Sequence, residues 1–162
     1  LVAREFRAKL ACDIFRIQEV GKRTNFRIML DLIFNRRPKL KPYALSLRDY
    51  DRLICIAPVW GGKAASPLRS FLENERNNFD RYSFISICGG GGSTQEEKIT
   101  NDLTALTNRK PDAVKQLSIS ALVPEQSKES VLKYRISPAD LPSFIGQLEE
   151  FVYTDDVLAG VQ

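Results

Sequence analysis

The chain has 162 residues, 43% of them apolar and 27% charged, and a net charge of +4; these values describe one globular domain with its own core. It contains no histidine, which excludes Ser-His and Cys-His nucleophilic pairs, histidine metal ligands and a histidine acid or base at neutral pH. No run reaches the roughly 18 apolar residues of a membrane span, so no membrane partner is expected.

Residues 1–10 place Leu1, Val2, Phe6 and Leu10 at helical spacing. "DIFRIQEV" (residues 13–20) alternates and is β-branched, which predicts a strand stopped by Gly21. "TNFRIMLDLIFNRR" predicts a helix capped by Thr24 or Asn25 and ended before Pro38. The basic residues gather here: residues 1–48 hold twelve Lys and Arg against four Asp and Glu, with a peak at "NRRPKLK" (residues 35–41). Cations suit a helix C-terminus, and no aromatic residues alternate with them as single-strand binding requires. No nucleic-acid partner is therefore expected. Residues 38–49 read as a polar loop.

"YDRLICIAPVW" is a nearly continuous apolar run, as in a strand buried on both faces of a parallel sheet. Ser66 and Pro67 then read as an N-cap and first helical residue, with Leu68, Phe71 and Leu72 as the buried stripe. "RYSFISIC" predicts another buried strand, running into Gly89–Gly92. Ser93 or Thr94 is expected to cap a helix through about Asn108, with Ile99, Leu103 and Leu106 inward. "AVKQLSISALV" (residues 113–123) reads as the last strand. A polar loop over 124–136 leads to a final helix started by Ser137 and Pro138. Its inward side would carry Leu141, Phe144, Ile145, Leu148 and Phe151, and residues 154–162 are expected to fray. Strict alternation of helix and strand predicts one α/β domain over residues 1–162, built on a parallel sheet.

In such sheets ligands bind beyond the carboxyl ends of the strands. Two of those ends are unusual here: "APVWGGKAAS" and "CGGGGSTQEE". Trp60, the only tryptophan, stands at a strand mouth beside Gly61 and Gly62. That placement suits a stacking wall for a flat ligand; a surface aromatic is the plain alternative. The four glycines do not form a phosphate loop, because they lead into Ser-Thr-Gln-Glu, and Glu96 and Glu97 already complement the helix N-terminus. They do permit close approach of backbone to a ligand. Cys55 reads as core and Cys88 as a small packed residue. With Cys12 they make three thiols without C-x-x-C spacing. A zinc site would lack ligands, and scattered thiols point to a reducing compartment, the cytoplasm.

"YDRLICIAPVWGGKAASPLRSFLE" followed by "SFISICGGGGS" resembles the flavodoxin-like family, and "RRPKLKP" and "RKPDAVKQLSI" fit the same group. The likeness runs over about residues 1–153. It implies a three-layer α/β/α sandwich on a five-stranded parallel sheet of order 2-1-3-4-5, with FMN at the strand ends. The implied cofactor-binding residues are Pro58, Val59, Trp60, Gly61, Gly62 and Lys63 in one loop and Cys88, Gly89, Gly90 and Gly91 in the other. Trp60 would lie against the isoalloxazine. Gly61 would be the peptide that turns to meet the N5 proton of the half-reduced ring. The backbone from Cys88 to Gly91 would contact the pyrimidine side.

The family's phosphate cradle is a Ser/Thr-x-Thr-Gly-x-Thr loop after its first strand. The resemblance implies that this strand and loop, about a dozen residues, precede Leu1. Without them a gap is expected between residues 13–20 and the strand "RLICIAPVW" (residues 52–60), and FMN would be held less tightly. Electron carriers of the family are usually acidic, whereas this chain is net basic. The function implied is electron transfer through bound FMN to a redox partner protein. One alternative is an FMN-dependent oxidoreductase taking NAD(P)H and a quinone-like acceptor, with residues 36–41 attracting the nicotinamide cofactor's phosphates. An alternative of another class is a cofactor-free module that binds a protein.

Overall fold

A computed structural model describes residues 2–4, 7, 12–21, 24, 29–31, 34–60, 62–90, 92–123, 134, 136–144, 148 and 151. Four strands form its sheet: β1 (Leu53–Trp60), β2 (Lys63–Ala64), β3 (Tyr82–Cys88) and β4 (Val114–Ser118), in the order β2-β1-β3-β4. Two helices connect them, α1 (Ser66–Glu75) and α2 (Ser93–Thr107).

β3 lies at the centre because its sequence, YSFISIC, buries all but one residue. It pairs in parallel with β1, from Leu53 opposite Tyr82 to Pro58 opposite Ile87, and with β4, from Phe84 opposite Val114 to Cys88 opposite Ser118. Pro58 survives in β1 for a geometric reason. Its carbonyl accepts from the Ala65 N–H at 3.0 Å, on the side away from β3. The proline nitrogen faces the same way, so the β1–β3 ladder loses no donor. β2 is a two-residue antiparallel return paired with Val59 and Trp60.

The period-2 alternation of the strands sends side chains into two layers. Cys55, Ala57 and Phe84 pack with Leu68, Phe71 and Leu72 of α1 and Ile99 and Leu103 of α2. Ile85 and Leu117 pack on the other face with Val2, Leu141, Phe144, Leu148 and Phe151. Helix, sheet and helix thus form three layers, the flavodoxin-like α/β arrangement. Each such Leu, Ile or Phe contributes about 1.5–3 kcal/mol on burial.

Several expectations are corrected. Residues 13–20 are not a strand: their one ladder contact is an isolated antiparallel bridge of Glu19 with Leu40. A strand needs a neighbour along its length, and among the described residues the outer edge of β1 is paired only with β2, at Val59 and Trp60, and not with residues 13–20. The segment docks through side chains instead, with the Phe15 ring 5.4 Å from that of Tyr43 and 6.4 Å from that of Phe71. The sheet among the described residues therefore has four strands, but the fourth is the short antiparallel β2 and not residues 13–20.

β4 ends at Ser118, opposite the last residue of β3, and Ile119–Leu122 turn into a 3-10 helix because the ladder has run out. Ser66 is not a cap: it is the first residue of α1, is buried, and Ala65 holds the cap position. Gly92, not Ser93 or Thr94, holds that position for α2. Within the polar loop, Leu47–Asp49 form a 3-10 turn with Leu47 in the core.

Other elements stand as the pattern predicts. α2 ends at Thr107, where Asn108 takes φ 58° as a left-handed C-cap. The final helix is entered through a capping box of Ser137 and Asp140 around Pro138. Val2 is buried at the start of the chain, whereas Leu1, Phe6, Leu10, Asn25, Ile145 and the tail 154–162 lie outside the described residues.

Candidate functional site

β1 and β3 end side by side, so the residues just past Pro58 and Ile87 open onto common ground. A cleft of about 490 Å³ lies there, within the range of small-molecule sites. β1 and the turn after it contribute Val59 and Gly62; the exit of β3 contributes Cys88, Gly89 and Gly90; the first turns of α2 contribute Thr94, Gln95 and Lys98. Five of the sequence-predicted residues, Val59, Gly62, Cys88, Gly89 and Gly90, therefore meet in one place. Pro58, Trp60 and Lys63 do not line the cleft. Trp60 is partly exposed and packs against the core beneath α1 and α2, one residue beyond Val59. Gly61 and Gly91 lie outside the described residues.

The glycines differ in what the fold asks of them. Gly62 takes φ +76°, a conformation that a side chain would strain. Gly90 has no such angle, and a Cβ built on it meets nothing within 4 Å. Packing therefore does not explain the absence of a side chain at Gly90, which is one of the residues lining the cleft.

The donors at the site are backbone groups. No side chain caps α2, so the N–H groups of Ser93 and Thr94 have no partner within the helix. The Gly92 carbonyl accepts from the Gln95 and Glu96 N–H at 3.0 and 3.1 Å. Glu96 and Glu97 are exposed and stay out of the lining, whereas Lys98 enters it, so the charge nearest the cleft is positive. Thr94, Gln95 and Lys98 carry no motif; only the i, i+4 spacing of Thr94 and Lys98 on a helix after the glycines could have pointed to them.

Cys88 is buried, and burial pushes its thiol up, against the lowering effect of a hydrogen bond with Ser86. It is a neutral packing residue at the cleft base, not a nucleophile. Burial pushes the Cys55 thiol up to about 12. Cys12, Cys55 and Cys88 are all free. Among the described residues no three His, Cys, Asp or Glu side chains are grouped to hold a metal ion, and no helix is long and apolar enough to cross a membrane. Of the basic stretch, Arg37 spends its charge on Glu73 at 2.7 Å and Lys41 donates to Gln18.

No family model and no curated protein sequence matches the chain. Solved structures do. A flavoprotein from Lactobacillus acidophilus NCFM in complex with FMN superposes with a TM-score of 0.56 at 13% identity, over 74% of this chain and 85% of that one. Candidate flavoproteins from Bacteroides eggerthii DSM 20697 and Bacteroides uniformis ATCC 8492 give TM-scores of 0.59 and 0.57 at 14% and 17% identity. Each covers 80% of this chain, and 83% and 84% of its own. Likeness at this identity is likeness of fold, and the chain has the flavodoxin-like α/β fold.

Proposed function

We propose that the chain is a flavin-binding redox protein that holds FMN in the cleft between the ends of β1 and β3. The observation that carries this reading is the open space over Gly90, which the chain's own packing does not use. The complex of the Lactobacillus flavoprotein with FMN, on the same fold, supports it.

The residues present fit the group. Val59 and the Cys88 side chain offer apolar contact. The N–H groups of Gly89, Gly90 and the first turn of α2 offer donors to the polar rim of a planar ring. Trp60 packs on the core next to Val59 and does not line the cleft, but it lies close enough for its fluorescence to report on a bound flavin. Lys98 offers a positive charge for an anionic group. FMN, when bound, supplies one- and two-electron chemistry, and the protein supplies stacking, charge and access. Electron transfer to a partner protein needs no general acid, in keeping with a chain that has no histidine. Oxidation of NAD(P)H with a quinone, without an added reductase, would move the protein from carrier to enzyme.

The test is a titration of the purified protein with FMN, read by Trp60 fluorescence. Saturable quenching at one equivalent is expected. Unchanged emission, with FMN recovered in the filtrate, would contradict the proposal.

A second reading, a cofactor-free interaction module, is favoured by one observation. The outer edge of β1 is paired only at Val59 and Trp60 among the described residues, and an apolar edge of that length accepts an added strand. Failure of the FMN titration would favour it.

A further inference from the structure

The glycine-rich segment after β3 has a mechanical problem. Ordering backbone costs about 1–2 kcal/mol per residue, and glycines have no side chains with which to pack. Gly89 and Gly90 line the cleft, so its shape depends on what ties the two ends of that segment together. One end is Cys88, anchored in the β3–β4 ladder opposite Ser118. The other is Gly92, whose carbonyl takes the first amides of α2.

A single side chain bridges them. Gln116 stands on β4 opposite Ser86. Its Nε2 donates to the Gly92 carbonyl at 3.1 Å, and its Oε1 lies 4.0 Å from the Cys88 Sγ, at the outer limit for a thiol donor. The amide thus faces the helix end of the segment with its donor and the strand end with its acceptor. Gln116 does not itself line the cleft.

We infer that Gln116 is a positioning residue for the ligand site. It clasps the β3 exit to the N-terminus of α2 and holds the glycine backbone in the shape that receives a ligand. The inference rests on the flavin reading of the cleft, but its structural half can be measured without FMN. A ligand meeting a preformed loop does not pay to order it, so loss of the clasp appears as lost affinity.

The experiment compares the full chain with Gln116→Leu, which keeps volume and loses both contacts, and Gln116→Glu, which keeps an acceptor and turns it on the Gly92 carbonyl. Backbone order parameters are read in the free protein, and FMN affinity is read by titration. In the native chain Gly90 and Gly92 should be near the rigid value of about 0.85, and in both variants they should fall toward about 0.6 or below while Ile85 stays rigid. FMN should bind about tenfold more weakly to each variant, the equivalent of about 1.4 kcal/mol. Loop order unchanged in the variants, a loop already mobile in the native chain, or loosening at Ile85 equal to that at Gly90 would each overturn the clasp. If the native chain binds no FMN, the flavin reading falls and the order parameters alone decide the role of Gln116. If FMN binds native and variant chains alike, the flavin reading stands and the clasp falls.

Discussion

At the scale of single residues, Gly90 separates ligand from fold. Alanine there meets no atom of the protein within 4 Å and removes freedom from the unfolded chain, which stabilises by about 0.4–1 kcal/mol when the conformation is compatible. Gly90→Ala should therefore leave the thermal midpoint unchanged or raised and weaken FMN binding by an order of magnitude or more, because Gly90 lines the cleft and a methyl there adds bulk at the ligand's wall. Melting curves beside FMN titrations check both halves; a midpoint lowered by several degrees with native FMN affinity would reverse the interpretation. Buried acids make a second prediction. Burial raises Cys55 from 9.0 to about 12, and raises Tyr82 from 10.0 to about 12 against the lowering hydrogen bond with Thr107. The folded state holds these protons more tightly, so their contribution is complete below about pH 9 and is lost as pH rises toward about 12. The melting temperature should fall across that window, and less steeply in Cys55→Ala; parallel profiles would show that Cys55 plays no part.

Residue identity in the sequence was informative where chemistry is local. Glycine beside glycine signals backbone access, and five of the proposed residues do line one cleft. Trp60 shows the limit. A strand mouth can turn its last side chain toward the ligand or back over the core, and the return through β2 brings the indole against the core beside Val59. Lys98 was not legible, because nothing in "STQEEK" tells which helical face borders a cleft built by another strand.

At the scale of elements, apolar period gave the central strands and both connecting helices, since burial on two faces or one leaves its mark in composition. Residues 13–20 have the same alternation and no sheet, because a strand is completed by its neighbour and not by its own pattern. Helix starts were misplaced by a residue or more, as Ser66 and Gly92 show, because several residues there can take the cap position. The packing of α1 on α2 rests on a polar contact that no pattern announces. Arg69, buried on α1, donates through Nε and Nη2 to both carboxylate oxygens of Asp102 on α2, at 3.1 and 2.9 Å. Removing one partner strands a buried charge, so Asp102→Ala should destabilise the chain by about 3–5 kcal/mol. The double replacement Arg69→Met with Asp102→Leu should recover most of the loss. Chemical denaturation of both variants measures the difference; equal losses would mean that the pair acts through something other than charge.

At the scale of the whole molecule, three layers of side chains bring the ends of β1 and β3 and the start of α2 to one place, and the chemistry proposed depends on that convergence. The residues of the cleft are distant in sequence, from Val59 to Lys98, and only the parallel register of β1 on β3 makes them neighbours. The most direct measurement is therefore a map of backbone amide resonances during FMN titration. The account predicts saturable shifts concentrated at Gly62, Gly89, Gly90, Thr94 and Gln95, with the amides of residues 134–144 unmoved. Shifts that cluster along the outer edge of β1, or none at any amide with FMN in excess, would contradict it.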